Sequence, residues 1–400
     1  MKLIQRDYYL KKMIDVIATP DIKVITGVRR CGKSKLLDAF IDYLSNTDDN
    51  NIIHINLSLS ENEYLLEYHA LEQYIESRYI PSKNNFVLID EVQMCNGFEK
   101  AINSLHAKEK YSLYITGSNA FLLSSDIATL FTGRTFEIKV YPFSFVEYKT
   151  YRNENMNYPS FDSYIKDGGM SGSYLYKNQE DRLEYLKGIY DTLIIRDIVT
   201  KYKIKNTVLL NRITDFLMSN ISNITSNRNI AEELSKSGET INHKTVGKYL
   251  QYLCNAFLFY PIPRYDIVGK KYLTSSYKYY LVDPSFRYAE IGTKNADTGR
   301  ILENIVAIEL LRRGYEVYVG MLYKTEIDFV AIKRGEKTYI QVSDDITNEK
   351  TFNREVSSLL KIKDAYPKIL IARTRSETYQ HEGIKIIDIA DWLNETKELK

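Results

Sequence analysis

"VITGVRRCGKSKLL", residues 24–37, joins an apolar run to a helical pattern through a turn bounded by glycines. Within it, Gly27-Val28-Arg29-Arg30-Cys31-Gly32-Lys33-Ser34 fits G-x-x-x-x-G-K-[ST] in full. Glycines let successive backbone N–H groups turn toward one point and form an anion nest. The helix that follows adds the positive end of its dipole. In such a loop Lys33 reaches the β- and γ-phosphates of a nucleotide, and the Ser34 hydroxyl ligates Mg²⁺. The expected binding run extends from Gly27 to Lys35, with ATP and Mg²⁺ as its cofactors. The competing reading is an ordinary strand-to-helix turn with a solvated lysine. Against it stands the context, a strand before and a helix after, which the motif requires.

Outward from this stretch, strand and helix signals alternate as far as about residue 150. "IKVITG", "NIIHINLSL", "NNFVLIDE" and "YSLYITGS" read as strands. "GKSKLLDAFIDYLS", "EYLLEYHALEQYIESRYI" and "FEKAINSLHAKEK" read as helices. This alternation predicts an α/β fold, a parallel sheet with helices on both faces. "TFEIKVYPFSFVEY" supplies a last strand and an exit turn. Residues 1–150 form the expected nucleotide domain, and 151–210 a helical lid or linker. Residues 211–290 read as helix, turn, helix and hairpin, the order of a winged helix. Residues 291–400 read as a small α/β domain that opens with the helix "GRILENIVAIELLRRG".

Bulk properties narrow the class. A chain of 400 residues implies roughly two to four domains. Its 44% hydrophobic and 26% charged content is ordinary for a globular protein. No apolar run approaches the ~18 residues of a membrane helix, and the charged N-terminus does not read as a secretory signal. Cys31, Cys95 and Cys254 lack metal spacing and fit a reducing, cytoplasmic setting. With a formal charge of +2, nucleic-acid binding would need a local basic patch.

A phosphate-binding loop needs a carboxylate on a neighbouring strand. "FVLIDE" buries four apolar residues and presents Asp90 and Glu91 at its carboxyl end, where open α/β sheets bind ligands. Asp90 would order Mg²⁺ and Glu91 would direct the attacking water. The next strand ends in Gly117-Ser118-Asn119, where a polar side chain would either position water or cap the helix that follows. Arg134, in "LFTGRTFEI", either neutralises charge on a phosphoryl group or is a solvated arginine. If it acts, it acts on its own nucleotide or on that of a neighbour in a ring.

These motifs, "GVRRCGKS", "LIDEVQ", "YITGSNAFLLS", "TGRTFEIKVYPFSFVEY" and "EIDFV…YIQVS", resemble in order those of AAA+ type P-loop ATPases. The family in question is bacterial and archaeal, with a winged helix and a C-terminal nuclease-fold domain of unknown function. The resemblance spans nearly the whole chain. It implies ATP binding and hydrolysis, gives Asn119 the place of the sensor residue, and makes Arg134 the arginine of the "TGR" turn.

It also directs attention to the C-terminal domain. PD-(D/E)XK nucleases hold Mg²⁺ with carboxylates on two strands and a helix, and a lysine activates water. The counterparts are Glu303, Asp328 and Gln341-Val342-Ser343, so glutamine replaces a carboxylate and Ser343 stands where lysine is expected. The expected site is vestigial, with Glu303 and Asp328 at most holding a weak metal. In the winged helix, His243, Lys244, Lys248, Arg264, Lys270, Lys271 and Lys278 sit among tyrosines. They form either a surface for DNA phosphates and bases or a solvated basic face, and winged helices also dock proteins.

Three functions are thus in play: an ATPase whose nucleotide state moves the appended domains, a slow-turnover ATP switch that binds DNA or a protein, and an ATP-regulated nuclease. Homo-oligomerisation is an option in each.

Overall fold

The structure, a computed structural model, describes residues 4–117, 131, 133–236, 238, 240–292 and 297–395. Two compact units emerge, Met1–Tyr141 with Asn255–Phe257, and Pro142–Cys254 with Leu258–Lys400.

In the first unit the apolar run before the loop becomes strand β1 (Ile22–Thr26), buried along its whole length. Strands β2 (Asn50–Asn56), β3 (Asn84–Asp90), β4 (Tyr111–Thr116) and β5 (Thr135–Lys139) complete the sheet in the order β2-β3-β4-β1-β5. Every pairing is parallel. Parallel neighbours require crossovers, and the helices Lys33–Leu44, Tyr68–Glu76 and Phe98–Ala107 provide them. Their apolar stripes face the sheet: Leu71, Ile75, Ile102 and Leu105 pack with Val87, Ile89, Leu113 and Ile115. The topology carries the carboxyl ends of β1, β3 and β4 to one edge.

One expected helix is broken. "EYLLEYHALEQYIESRYI" forms a 3₁₀ turn, Ser60–Leu65, before the α-helix Tyr68–Glu76. Glu67 between them is extended, because the backbone of Asn96 bonds on both sides of it. Asn96 N–H donates to Leu66 O at 2.7 Å, and Asn96 O accepts from Tyr68 N–H at 3.2 Å. Tertiary hydrogen bonds here override a continuous helical pattern.

The second unit begins with helices, including Gln179–Thr192, which runs on as a π-helical stretch, Leu193–Thr200. The helices Thr207–Ser219, Asn227–Ser235 and His243–Asn255 follow, with strand β6 (Ile224–Thr225) between the first two. Then come β7 (Phe259–Asp266) and β8 (Lys271–Leu281), an antiparallel hairpin. Beyond the long buried helix Thr298–Arg312 lie β9 (Glu316–Leu322), β10 (Thr325–Lys333), β11 (Glu336–Ser343) and β12 (Lys368–Ala372). Strands β13 (Tyr379–His381) and β14 (Ile384–Asp388) end the series.

All of these strands form one sheet, β13-β14-β12-β11-β10-β9-β7-β8-β6. The join is the parallel pairing of β7 with β9, where Tyr265 faces Gly320. A Cβ at Gly320 would lie 2.9 Å from Ile327 and 3.0 Å from Ile267, so only glycine allows this approach. A single sheet therefore runs through the ranges read as winged helix and as C-terminal domain. Among the described residues, no helix is long and apolar enough to cross a membrane.

Candidate functional site

The loop after β1 is fastened from behind. Gly27 sits at φ 147°, and a Cβ there would lie 2.1 Å from Val140 O. The Cys31 thiol donates to the same carbonyl at 3.3 Å. The buried Arg6 guanidinium donates to Cys31 O at 2.8 Å and to Tyr141 O at 2.9 Å. Arg30 (φ 62°) and Gly32 (φ 99°) have left-handed backbones, the conformational mixture from which anion nests are built. The helix Lys33–Leu44 starts at Gly32 with no side-chain cap and no acid in its first turn. Its leading N–H groups thus lack the usual internal partner.

Lys33 is buried, 5% exposed, and its ammonium donates to Gly27 O at 2.9 Å and Val28 O at 3.0 Å. The cation is held by the loop's own carbonyls. Ser34 and Lys35 are exposed. Lys35 pairs with Asp38 at 2.8 Å, a bond that raises its pKa.

Asp90 ends β3 and is buried. The Thr116 hydroxyl, at the end of β4, donates to Asp90 Oδ1 and accepts from Glu91 N–H at 3.1 Å. Glu91 has a left-handed backbone (φ 55°), which turns the chain sharply after the strand. The Gln93 amide donates to the Glu91 carboxylate, while Gln93 Oε1 is buried without a partner. Thr116 pairs in register with Ile25 of β1, and its neighbour Ile115 with Ile89 of β3. The loop and Asp90 are therefore two strand spacings apart on one edge, about 10 Å. Thr116 and Gln93 were missed from sequence. Thr116 bonds the Asp90 side because its strand lies between those of the loop and of Asp90, an order that the structure supplies.

Ser118 and Asn119 lie outside the described residues. Arg134 is described, exposed, and placed elsewhere. Its carbonyl accepts from Ile22 N–H at 2.8 Å, and the next residue, Thr135, pairs with Ile22 at the start of β1. It lies at the amino edge of the sheet, the length of β1 away from the loop, about 16 Å. The fold does not bring Arg134 to the loop of its own chain.

In the second unit, Glu303, Asp328 and Gln341 do come together. Asp328 lies where the register of β9 and β10 shifts, between Ile327 and Val330. Its Oδ2 accepts from Val342 N–H at 2.8 Å, and Gln341 Oε1 accepts from Asp328 N–H at 3.3 Å. The Ser343 hydroxyl donates elsewhere, to Asp345 O at 3.2 Å. The cation missing from β11 arrives from β8. Lys278 Nζ lies 2.7 Å from Glu303 Oε1, 2.6 Å from Glu326 Oε1 and 3.7 Å from Asp328 Oδ1. Tyr280 OH also donates to Glu303 Oε1, at 2.6 Å. Burial disfavours the Lys278 charge, but Glu303, Asp328 and Glu326 together outweigh it and raise its pKa. Burial, then the charge of Glu303, pushes the Asp328 carboxyl well above the usual range. Burial likewise raises Glu303 against the pull of Lys278.

The basic hairpin is thereby divided. Lys278, Tyr265, Tyr279 and Tyr280 are buried and do not belong to a solvent-facing patch. His243, Lys244, Lys248, Lys270, Lys271 and Tyr272 are exposed.

Comparison with known proteins finds an AAA domain over the first sheet. Residues 19–149 match the family model of an AAA domain, and residues 158–297 match that of a domain of unknown function. An uncharacterized protein of Haemophilus influenzae is 39% identical over 398 residues, covering 98% of this chain and 98% of that one. An uncharacterized protein of Methanocaldococcus jannaschii is 30% identical over 412 residues, covering 98% of this chain and 88% of that one. Among solved structures, the Walker-type ATPase of Pyrococcus abyssi is similar at 16% identity and a TM-score of 0.49, over 72% of this chain and 95% of that one.

Proposed function

This chain belongs to one family with the Haemophilus influenzae and Methanocaldococcus jannaschii proteins, and on that premise we propose that its AAA domain binds and hydrolyses Mg-ATP. The observation that carries the reading is the shared sheet edge: the Gly27–Lys35 loop and Asp90 stand either side of Thr116. The residues present suit the ligand. An uncapped helix start and a left-handed loop backbone offer N–H donors to a polyphosphate. Lys33, held by two neutral carbonyls and the Cys31 sulfur, can exchange them for a phosphate without stranding a charge. Ser34 and Asp90 would hold Mg²⁺, which supplies charge neutralisation at the β- and γ-oxygens.

The remaining roles belong to the chain's own groups. Thr116 fixes the Asp90 carboxylate and, through the Glu91 N–H, the turn that aims Glu91. Glu91 would orient water and take its proton. Asn119 would sit beside the γ-phosphate. Arg134, at the far edge, could act only on the nucleotide of a second copy.

Lys33→Ala is expected to abolish ATP binding in calorimetry. Glu91→Gln is expected to keep binding while phosphate release falls about 100-fold or more. Undiminished release by both variants would overturn the reading.

One observation favours slow turnover. The Gln93 amide holds the Glu91 carboxylate. In this reading Glu91 stays held until a partner of the second unit frees it, and the protein acts as a switch. We read residues 151–210 as a helical lid, 211–290 as a winged helix and 291–400 as a nuclease-type fold. The order helix, β6, helix, helix, β7, β8 supports the middle assignment. The exposed His243, Lys244, Lys248, Lys270 and Lys271 are the face that DNA would meet. Salt-sensitive stimulation of hydrolysis by DNA would support that partner, and salt-independent stimulation by a protein would replace it.

A further inference from the structure

We propose that the Lys278 ammonium is the resident cation of the Glu303–Glu326–Asp328 cluster, which is an internal clamp closed to divalent metal. The inference rests on the nuclease-type reading only for the expectation of a metal; the cluster itself is a matter of geometry.

An ammonium has three donors and a compact charge. Here it meets Glu303 at 2.7 Å and Glu326 at 2.6 Å, with Asp328 at 3.7 Å. These are the oxygens a hard divalent ion would require. Two of the carboxylates carry further donors. Tyr280 adds a second donor to Glu303 Oε1, and Asp328 Oδ2 is taken by Val342 N–H. Gln341 spends its carbonyl on the Asp328 backbone. Among the described residues, no group of three His, Cys, Asp or Glu side chains is arranged to hold a metal.

Access points the same way. Lys278 is 2% exposed, Asp328 8% and Glu303 9%, and the solvent-facing member of the cluster, Glu326, is itself paired with Lys278. The metal that the nuclease reading expects therefore does not fit, and no cleavage step is assigned to it.

The clamp has a mechanical sense. Lys278 and Tyr280 lie on β8, whereas Glu303 lies on the helix Thr298–Arg312 and Asp328 on β10. The same helix grips β8 a second time. Asn304 accepts from Leu281 N–H at 2.7 Å and donates to Leu281 O at 2.8 Å. The hairpin is thus bonded to the helix Thr298–Arg312 by charge and by amide hydrogen bonds, side by side.

The test uses the full chain, free of nucleotide and carrying Asp90→Asn to remove the loop's metal site. Thermal unfolding and calorimetry are run with and without millimolar Mn²⁺ and Mg²⁺. With Lys278 present, neither ion should move Tm or release heat. Lys278→Met should lower Tm by roughly 10 °C, because it strands buried carboxylates. Mn²⁺ should then recover about 3 °C or more of that loss. A Tm rise or plasmid nicking with Mn²⁺ while Lys278 is in place overturns the inference. So does a folded Lys278→Met protein that loses no stability or ignores Mn²⁺. If Lys278→Met does not fold, the Lys278-bearing measurement still decides, and Lys278→Arg should fold and stay unresponsive to metal. Mg-ATP binding by the chain with Asp90 intact reports on the nucleotide reading, so the two ideas fail separately.

Discussion

Two buried lysines, one in each unit, show how the same side chain is made available or unavailable. Lys33 donates to the carbonyls of Gly27 and Val28, neutral partners that keep their place if the ammonium leaves. Lys278 donates to Glu303 and Glu326 beside Asp328, partners that would be left as unpaired charge. The lesson is that burial alone does not tell a ligand-binding cation from a structural one. The charge of the partners does, because removing a cation from carbonyls exposes dipoles, while removing it from carboxylates strands ions.

Three substitutions test that contrast, the strongest first. Thr116→Val removes both the donor to Asp90 and the acceptor for Glu91 N–H. Phosphate release should fall about 10- to 100-fold with ATP affinity less affected, and equal loss of binding and turnover would mean Thr116 shapes the loop itself. Tyr280→Phe takes one donor from Glu303 and leaves Lys278 in place. Urea unfolding should show a loss of about 1.5 kcal/mol with ATP turnover unchanged. No loss would mean that Lys278 alone satisfies the carboxylate.

The third concerns Lys23, a buried lysine that also has neutral partners, Thr19 O at 2.7 Å and Ser112 Oγ at 3.3 Å. Burial lowers its pKa from 10.5 to about 8 against the pull of Asp21. The folded state then binds this proton less tightly than the unfolded chain. Wild-type stability should rise relative to Lys23→Met as pH climbs from about 8 toward 10.5, and should carry a penalty below 8. A pH-independent difference in Tm between the two proteins would show Lys23 titrating normally.

Much of this molecule was legible before it was folded. The loop, its strand and the "LIDE" strand end are local patterns, and the alternation of strand and helix signals a parallel sheet, although its order β2-β3-β4-β1-β5, with β1 between β4 and β5, is not written in the sequence order. The hidden parts are those set by distant pairing. Gln341 and Ser343 read as the loss of a nuclease lysine, and only the β7–β9 pairing reveals that Lys278, far upstream in sequence, enters the same cluster. Lys278 read as basic surface because its neighbours Lys270, Lys271 and Tyr272 are surface. Arg134 looked equally able to serve either nucleotide until the register of β1 with β5 placed it at the wrong edge for its own. Thr116 escaped notice because one threonine carries no motif.

The pairing of Tyr265 with Gly320 has a practical side. A fragment ending near residue 290 would sever the nine-stranded sheet between β7 and β9 and leave β7 with an open hydrogen-bonding edge. Such edges recruit other chains. Anyone dissecting this protein for binding studies should expect the excised hairpin to self-associate, and should keep the sheet whole, cutting nearer residue 142, where the second compact unit begins.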